Sequence, residues 1–224
     1  MLERMHMRPQ YKVEIKWSPE FAYAIGLLVT DGCVYSNYKI INLTSKDEEQ
    51  INNFKRCLGV DNVIGKKSSG RPSGGECLQV QIGDVNFCGF LDSIGITPKK
   101  TKTIGSVDIP GEYFFDFLRG HHDGDGTFYS YWDPRWRSSY MFYTVFVSAS
   151  EMHILWLREK IRSLLNIKGH ITTTGKTPMF ALKYAKAESL ILLPKMYYNP
   201  EVVCLSRKRK KIENALAVIN KKLT

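Results

Sequence analysis

An internal duplication restricts what this chain can fold into more than any other feature. Residues 21–32, FAYAIGLLVTDG, and residues 115–126, FDFLRGHHDGDG, each run from a phenylalanine through a helix-like stretch with a central glycine to a terminal Asp-Gly. The elements after each copy match in order. Two strand-like runs come first, Cys33 to Tyr35 and Lys39 to Thr44 in one copy, Thr127 to Trp132 and Met141 to Ser148 in the other. A helix is next, Lys46 to Leu58 or Glu151 to Leu165, with Ile51, Phe54 and Leu58, or Ile154, Leu157 and Ile161, at helical spacing. Two more strands (Val63 to Lys67 and Leu78 to Ile82; Gly169 to Thr173 and Met179 to Tyr184) precede a last helix, near Val85 to Ile94 or Glu188 to Tyr197. Asp-Gly is a common helix stop, but the same succession of elements twice over is not a common accident. The expected fold is α+β: two pseudo-symmetric αββαββα repeats, residues 1–96 and 112–200, joined by a linker at 97–111 and followed by a basic helix within 201–224.

The spacing inside the repeated helix has a physical meaning. Gly26 with Thr30, and Gly120 with Gly124, put small residues four apart on one face, which lets two helix backbones approach closely. Crossed in that way, the two helices bring Asp31 and Asp125 to adjoining C-terminal ends. A carboxylate is disfavoured there by a few tenths to about 1 kcal/mol through the helix dipole, and two neighbouring carboxylates repel one another. A hard divalent cation such as Mg²⁺, which takes oxygen ligands and keeps room for a phosphate, relieves both penalties.

Composition narrows the partner. The 224 residues carry a net charge of +10 with pI near 9.3, so a polyanion comes first, because basic groups gain affinity by releasing its condensed counterions. With 43% hydrophobic and 24% charged residues the chain reads as globular. Five cysteines without a CxxC pair fit neither a disulfide framework nor a zinc ribbon. No run approaches the roughly 18 apolar residues of a membrane span, so a soluble, unexported protein of the cytoplasm or an organelle matrix, without a membrane partner, is expected.

The residues Ala24-Ile25-Gly26-Leu27-Leu28-Val29-Thr30-Asp31-Gly32 and Leu118-Arg119-Gly120-His121-His122-Asp123-Gly124-Asp125-Gly126 resemble the nine-residue motif of the LAGLIDADG homing endonucleases. The second copy keeps Asp-Gly-Asp-Gly intact, whereas the first has Val29 where the motif carries an earlier acid. The resemblance implies a single-chain, two-motif member: a site-specific double-strand DNA endonuclease, intron-encoded or free-standing, that cleaves a long asymmetric target by metal-dependent phosphodiester hydrolysis. It implies a monomer with Asp31 and Asp125 as catalytic metal ligands, Mg²⁺ as cofactor, Mn²⁺ able to replace it, and Ca²⁺ binding without cleavage. Lys46, at the corner Thr44-Ser45-Lys46-Asp47, and Lys183, late in the last strand of the second repeat, are similar in position to that family's pocket lysines. Their internal counterparts, Ser150 for Lys46 and Val80 or Gln81 for Lys183, are not lysines, so the half-sites should be chemically unequal.

In such a saddle the two sheets enter the major grooves, where arginine pairs with guanine and glutamine or asparagine with adenine. The strands and their turns offer Tyr35, Asn37, Lys39, Lys66, Lys67, Arg71, Gln79 and Gln81 in the first repeat. The second offers Tyr129, Tyr131, Arg135, Arg137, Lys168, Thr172, Thr174 and Lys176.

Other readings fit fewer residues. Asp123 to Thr127 also matches the DxDGT loop of haloacid-dehalogenase phosphatases, but that loop follows a buried strand, and Glu112 to His122 has a helical pattern. An EF-hand counted from Asp123 puts Phe128 where glycine belongs and Pro134 where the bidentate glutamate belongs. His121, His122, His153 and His170 show no ligand spacing. On the same scaffold an intron maturase would take RNA as its partner, and a non-cleaving DNA-binding relative would lose the acids; both Asp31 and Asp125 are present.

Overall fold

The computed structural model describes residues 11–68, 75–175 and 178–223. The element order of the first repeat is α1 (Pro19–Thr30), β1 (Gly32–Val34), β2 (Ile40–Ser45), α2 (Glu48–Leu58), β3 (Ile64–Ser68), β4 (Glu76–Gly83) and α3 (Val85–Ser93). The second has α4 (Phe114–Gly124), β5 (Thr127–Trp132), β6 (Tyr140–Ser148), α5 (Glu151–Leu165), β7 (His170–Thr174), β8 (Met179–Ala185) and α6 (Lys186–Met196). A final helix, α7 (Ser206–Val218), comes after them.

Each repeat builds one antiparallel four-stranded sheet, with orders β1-β2-β4-β3 and β5-β6-β8-β7. The pseudo-symmetry reaches single residues. Both α2 and α5 end on a left-handed residue, Gly59 at φ 63° and Asn166 at φ 54°. Both α1 and α4 end on the motif aspartate, Asp31 at φ −91°, ψ −5° and Asp125 at φ −89°, ψ −5°.

Local chemistry explains where the central helices begin and why they lie inside. Ser18 caps α1 by accepting from the Phe21 N–H at 3.1 Å, and Pro19 opens the helix where no backbone donor is needed. Every residue from Phe21 to Val29 is buried, so α1 is apolar on all sides rather than striped. Its counterpart α4 is equally buried yet carries Asp116, Arg119, His121, His122 and Asp123, polar groups whose burial is costly unless they are partnered. Arg119 is partnered: its guanidinium donates to the Val203 carbonyl at 2.8 Å, the Met196 carbonyl at 2.6 Å and Asp116 Oδ1 at 2.7 Å.

The stretch expected to be a plain linker is only partly one. Residues Lys100–Lys102 form a turn of 3-10 helix, and Lys100 is buried at 5% exposure. The basic tail likewise does more than cover the surface, since its α7 packs on β5 and is tied to α2. Among the described residues no helix is long and apolar enough to cross a membrane.

Candidate active site between the repeats

The two motif helices meet backbone to backbone. A methyl group at Gly26 would fall on the Phe117 carbonyl and within 2.6 Å of the His121 nitrogen, and one at Gly120 would fall on the Tyr23 carbonyl. One residue pair further along, Gly124 faces the Thr30 hydroxyl, and the place its Cβ would occupy lies 3.1 Å from Asp31 Oδ2. The four small positions therefore do what their spacing asks for, and the Asp31 carboxylate ends beside the residue that precedes Asp125.

Electrostatics at this junction are strained. Burial raises the Asp31 carboxyl to about 6, and the Asp125 charge pushes it the same way. The protein around Asp125 raises its carboxyl too. Gln50, three residues into α2 from its Asp47 cap, donates to Asp31 Oδ2 at 2.5 Å and so favours the charged form. Asp125 accepts no hydrogen bond from the described residues, and its side of the junction is the more exposed.

Two lysines approach the acids by a common route. Lys100 Nζ donates to the carbonyl of Gly32, the residue after Asp31, at 2.5 Å. Lys208 Nζ donates to the carbonyl of Gly126, the residue after Asp125, at 2.7 Å, and also to those of His122 at 2.6 Å, Asp123 at 2.8 Å and Gly124 at 3.3 Å. Those of His122, Asp123 and Gly124 are among the carbonyls that a helix C-terminus leaves without partners. Burial lowers both ammonium groups, Lys208 to about 8, while the two aspartates pull them back toward the charged form. With their protons engaged by carbonyls, the two lysines serve as fixed positive charges beneath the carboxylates.

The fold that carries this site has parallels among solved structures. I-SmaMI bound to uncleaveable DNA with a TTGT central four superposes with a TM-score of 0.60 at 15% identity, covering 93% of this chain and 92% of that one. I-WcaI bound to its DNA recognition sequence gives 0.57 at 10% identity, with 88% of each chain covered. The N-terminal LAGLIDADG domain of DUF199/WhiA gives 0.53 at 14% identity, covering 93% and 98%. The chain has the LAGLIDADG homing-endonuclease fold. No protein-family model and no curated protein matches the sequence.

In this fold the sheet faces turned away from the helices are set by strand register. In the first sheet, Asn42 opposes Cys33 and Gln81, while Thr44 opposes Gln79. These rows alternate with the buried rows Val34-Ile41-Ile82 and Leu43-Val80, so Gln79, Gln81 and Tyr35 share the outer face, and the Gln81 amide donates to the Tyr35 hydroxyl at 3.0 Å. Lys67, opposite Cys77, stands on that face as well. Lys66 does not: it opposes Leu78, has the parity of the buried rows, and pairs at the sheet edge with Glu76 at 2.9 Å. Asn37 and Lys39 lie in the exposed β1–β2 turn.

The second sheet places Tyr129, Tyr131 and Thr172 on its outer face, with Lys183 in the row Thr127-Val145-Lys183-His170. Tyr143, between Tyr129 and Tyr131, completes a stack with ring centroids 5.2 and 6.4 Å away. Arg135 and Arg137 are in the β5–β6 turn, where Arg135 pairs with Asp133 at 3.2 Å. Lys168 lies before β7, and its N–H is held by Glu188 at 2.9 Å, which turns that segment toward α6 rather than along the sheet. The backbone of Thr174 pairs with Met179 at the end of β7. Arg71 and Lys176 lie outside the described residues.

The structure sets the two pocket lysines expected from sequence apart from a second pair. Lys46 is exposed at the corner before α2, and Lys183 lies out on the sheet; the lysines brought against the acid-bearing helix ends are Lys100 and Lys208. The caps Asp47 and Ser150 coincide, which sets Lys46 opposite Ala149 rather than Ser150, while strand register sets Lys183 opposite Gln81, one of the two positions expected. Gln50 escaped sequence reading entirely, as did Asn42. The one available signal for the lysines was positional: each comes after the last helix of its repeat.

Proposed function

We propose that this chain is a divalent-metal-dependent endonuclease that binds a DNA duplex across its two sheets and cuts both strands at a long, asymmetric site. The observation that carries the reading is the pair of carboxylates at the adjoining ends of α1 and α4, set beside a buried lysine, Lys100, and a half-buried one, Lys208. The placement raises the energy of the metal-free protein, and a folded domain tolerates such a cost chiefly where function requires it.

The donor set suits a hard cation. Among the described residues, Asp31 keeps one oxygen without a hydrogen-bond donor and Asp125 keeps both. Among the described residues no group of three or more His, Cys, Asp or Glu side chains surrounds a common point. Two carboxylates leave most of an octahedral shell for water and DNA phosphate, which is the habit of Mg²⁺; Mn²⁺ would substitute, and the larger Ca²⁺ would bind without supporting cleavage. Held by Asp31 and Asp125, such an ion would supply Lewis-acid polarisation of a phosphate and a lowered pKa for an attacking water.

The chain's own residues set the rest. Gln50 orients Asp31, and Lys100 and Lys208 offset negative charge that accumulates between the carboxylates and the phosphate. One acid from each repeat addresses one strand, so a single chain acts as a monomer. The outer sheet faces supply base and phosphate contacts through Tyr35, Lys67, Gln79, Gln81, Tyr129, Tyr131 and Thr172. Lys46, Lys183, Arg135 and Arg137 are phosphate contacts at its margins. The structures bound to DNA on this fold, I-SmaMI and I-WcaI, support duplex DNA as the partner.

The test is incubation of the protein with a randomised duplex library and Mg²⁺, then sequencing of the ends. Paired cuts at one recurrent sequence, abolished by a chelator, are expected. Salt-sensitive duplex binding without any cut would replace the reading with that of a non-cleaving DNA-binding relative, and preference for a structured intron RNA over duplex would replace it with a maturase.

A further inference from the structure

Between α6 and α7 the chain passes under both central helices, and six consecutive residues are tied to one repeat or the other. The Val203 carbonyl accepts from Arg119 of α4 at 2.8 Å, and the Cys204 carbonyl accepts from Asn53 of α2 at 3.0 Å. The Leu205 N–H returns to α4, donating to Asp123 Oδ2 at 2.7 Å. Ser206 crosses back, its N–H donating to Glu49 Oε2 at 3.0 Å and its hydroxyl to Glu49 Oε1. Arg207 stays with the first repeat through Asp47 Oδ2 at 2.6 Å, and Lys208 then reaches the carbonyls of His122 to Gly126.

Such a run is not what a solvated basic tail does. Surface ion pairs are worth little singly, but here the partners switch between two separate elements along the run, so no one tie can slip without its neighbours. The first turn of α2 is the common anchor: Asp47 and Glu49 hold the strap, while Gln50, on the same turn, holds Asp31. Lys100, by contrast, reaches its carbonyl from the buried turn at 100–102 and owes nothing to α2.

We infer that Asp47 and Glu49 are positioning residues of the second half-site: by clasping Arg207 and Ser206 they hold the Lys208 ammonium beneath Asp125, so that one turn of the first repeat sets a charge in the second. The role given to that charge rests on the nuclease reading; the clasp itself does not. Loosening it frees Lys208 and leaves Lys100 in place, so the two strands of a duplex become unequal in how readily they are cut.

The experiment uses the whole chain and needs no cleavage. Wild type, Arg207→Ala, Glu49→Gln, the double variant and Arg207→Lys are pulsed with an acetylating reagent at constant pH, and acetylation is resolved by mass spectrometry at Lys208, Lys100 and the exposed Lys210. In the wild type Lys208 should react at least about tenfold more slowly than Lys210; in Arg207→Ala and the double variant it should approach the Lys210 rate while Lys100 stays protected, with Arg207→Lys in between. Unchanged protection of Lys208 in the folded double variant overturns the clasp, and so does loss of protection at Lys100 in parallel, which would mark general loosening. If the double variant does not fold, the single Glu49→Gln variant decides by the same rates. Should the wild type cut DNA, the clasp variants should lower kcat with duplex Kd unchanged, and nicked product should accumulate; a wild type that cuts nothing defeats the nuclease reading without touching the acetylation result.

Discussion

Gly120 lies so close to Tyr23 that a methyl group on its α-carbon would overlap the Tyr23 carbonyl oxygen. The contact is backbone to backbone, so no side chain can swing away to make room. Gly120→Ala should therefore part α1 from α4 and cost several kcal/mol, at or above the usual 1–3 kcal/mol of overpacking. The control is Gly89→Ala in α3, where the added methyl meets nothing within 4 Å and the helix should gain roughly 0.5–1 kcal/mol. Urea unfolding midpoints compare the two, and equal midpoints would contradict the close approach.

Asp31→Asn separates chemistry from packing. Its carboxyl is raised from 3.8 to about 6, so the charged form is the unfavourable one in the folded chain. Below pH 4 the group is protonated in both states and costs nothing, the penalty grows between 4 and 6, and it is complete above 6. The metal-free variant should thus be more stable than wild type by about 1–2 kcal/mol at pH 8, after allowance for partial solvent screening, with no difference near pH 3.5. Cleavage should vanish while duplex binding persists, and wild-type cleavage should fall as pH drops through about 6. Thermal melts at the two pH values test the stability claim; a variant less stable at pH 8 would refute it.

The duplication and its consequence for the central helices were legible because they depend on periodic, local features: the small residues at 26, 30, 120 and 124, and the Asp-Gly stops. The strand faces were half legible. Alternation identified Gln79 and Gln81 as neighbours on one face, but a single-residue difference of parity separates Lys67 from Lys66, and no local pattern marks it. The lysines were not legible at all. Lys100 sits among Lys99 and Lys102, and Lys208 within a run of five basic residues, where a charge run is by default a solvated face; what singles them out is the backbone carbonyls beside the motif aspartates that they meet, a property of tertiary structure.

Buried histidines give the fold an acid limit. His122 is wholly enclosed, both ring nitrogens lack partners, and its ring packs on Phe146 with centroids 5.6 Å apart. Burial lowers it from 6.5 to about 3, and His153, stacked on His121 at 5.2 Å, from 6.5 to about 4. Between these values and 6.5 the unfolded chain binds more protons than the folded one, so stability is complete above pH 6.5 and declines as pH falls. His122→Leu should remove about 2 kcal/mol of that decline at pH 5. Unfolding midpoints at pH 7.5 and 5 measure it, and parallel declines in wild type and variant would show that His122 stays neutral in both states.

The outer faces of the two sheets differ in kind, and binding should show it. Gln79 and Gln81 form an amide surface on the first sheet, where the buried Asn42 amide donates to Gln79 from beneath at 3.4 Å; Tyr129, Tyr131 and Tyr143 form an aromatic one on the second. Amides pair with adenine in the major groove, at about 1–3 kcal/mol of discrimination for a good bidentate contact, whereas a lysine beside a phosphate adds affinity without sequence information. Gln81→Ala should therefore relax sequence preference at one or two positions of the half-site under the first repeat and leave the salt dependence unchanged. Lys67→Ala should weaken binding to all duplexes alike and lower the slope of log K against log salt by about 1. Binding selections at two salt concentrations resolve both effects. If Gln81→Ala alters the salt slope instead of the preferred sequence, the amide face contacts backbone and not bases, and the register argument for specificity falls.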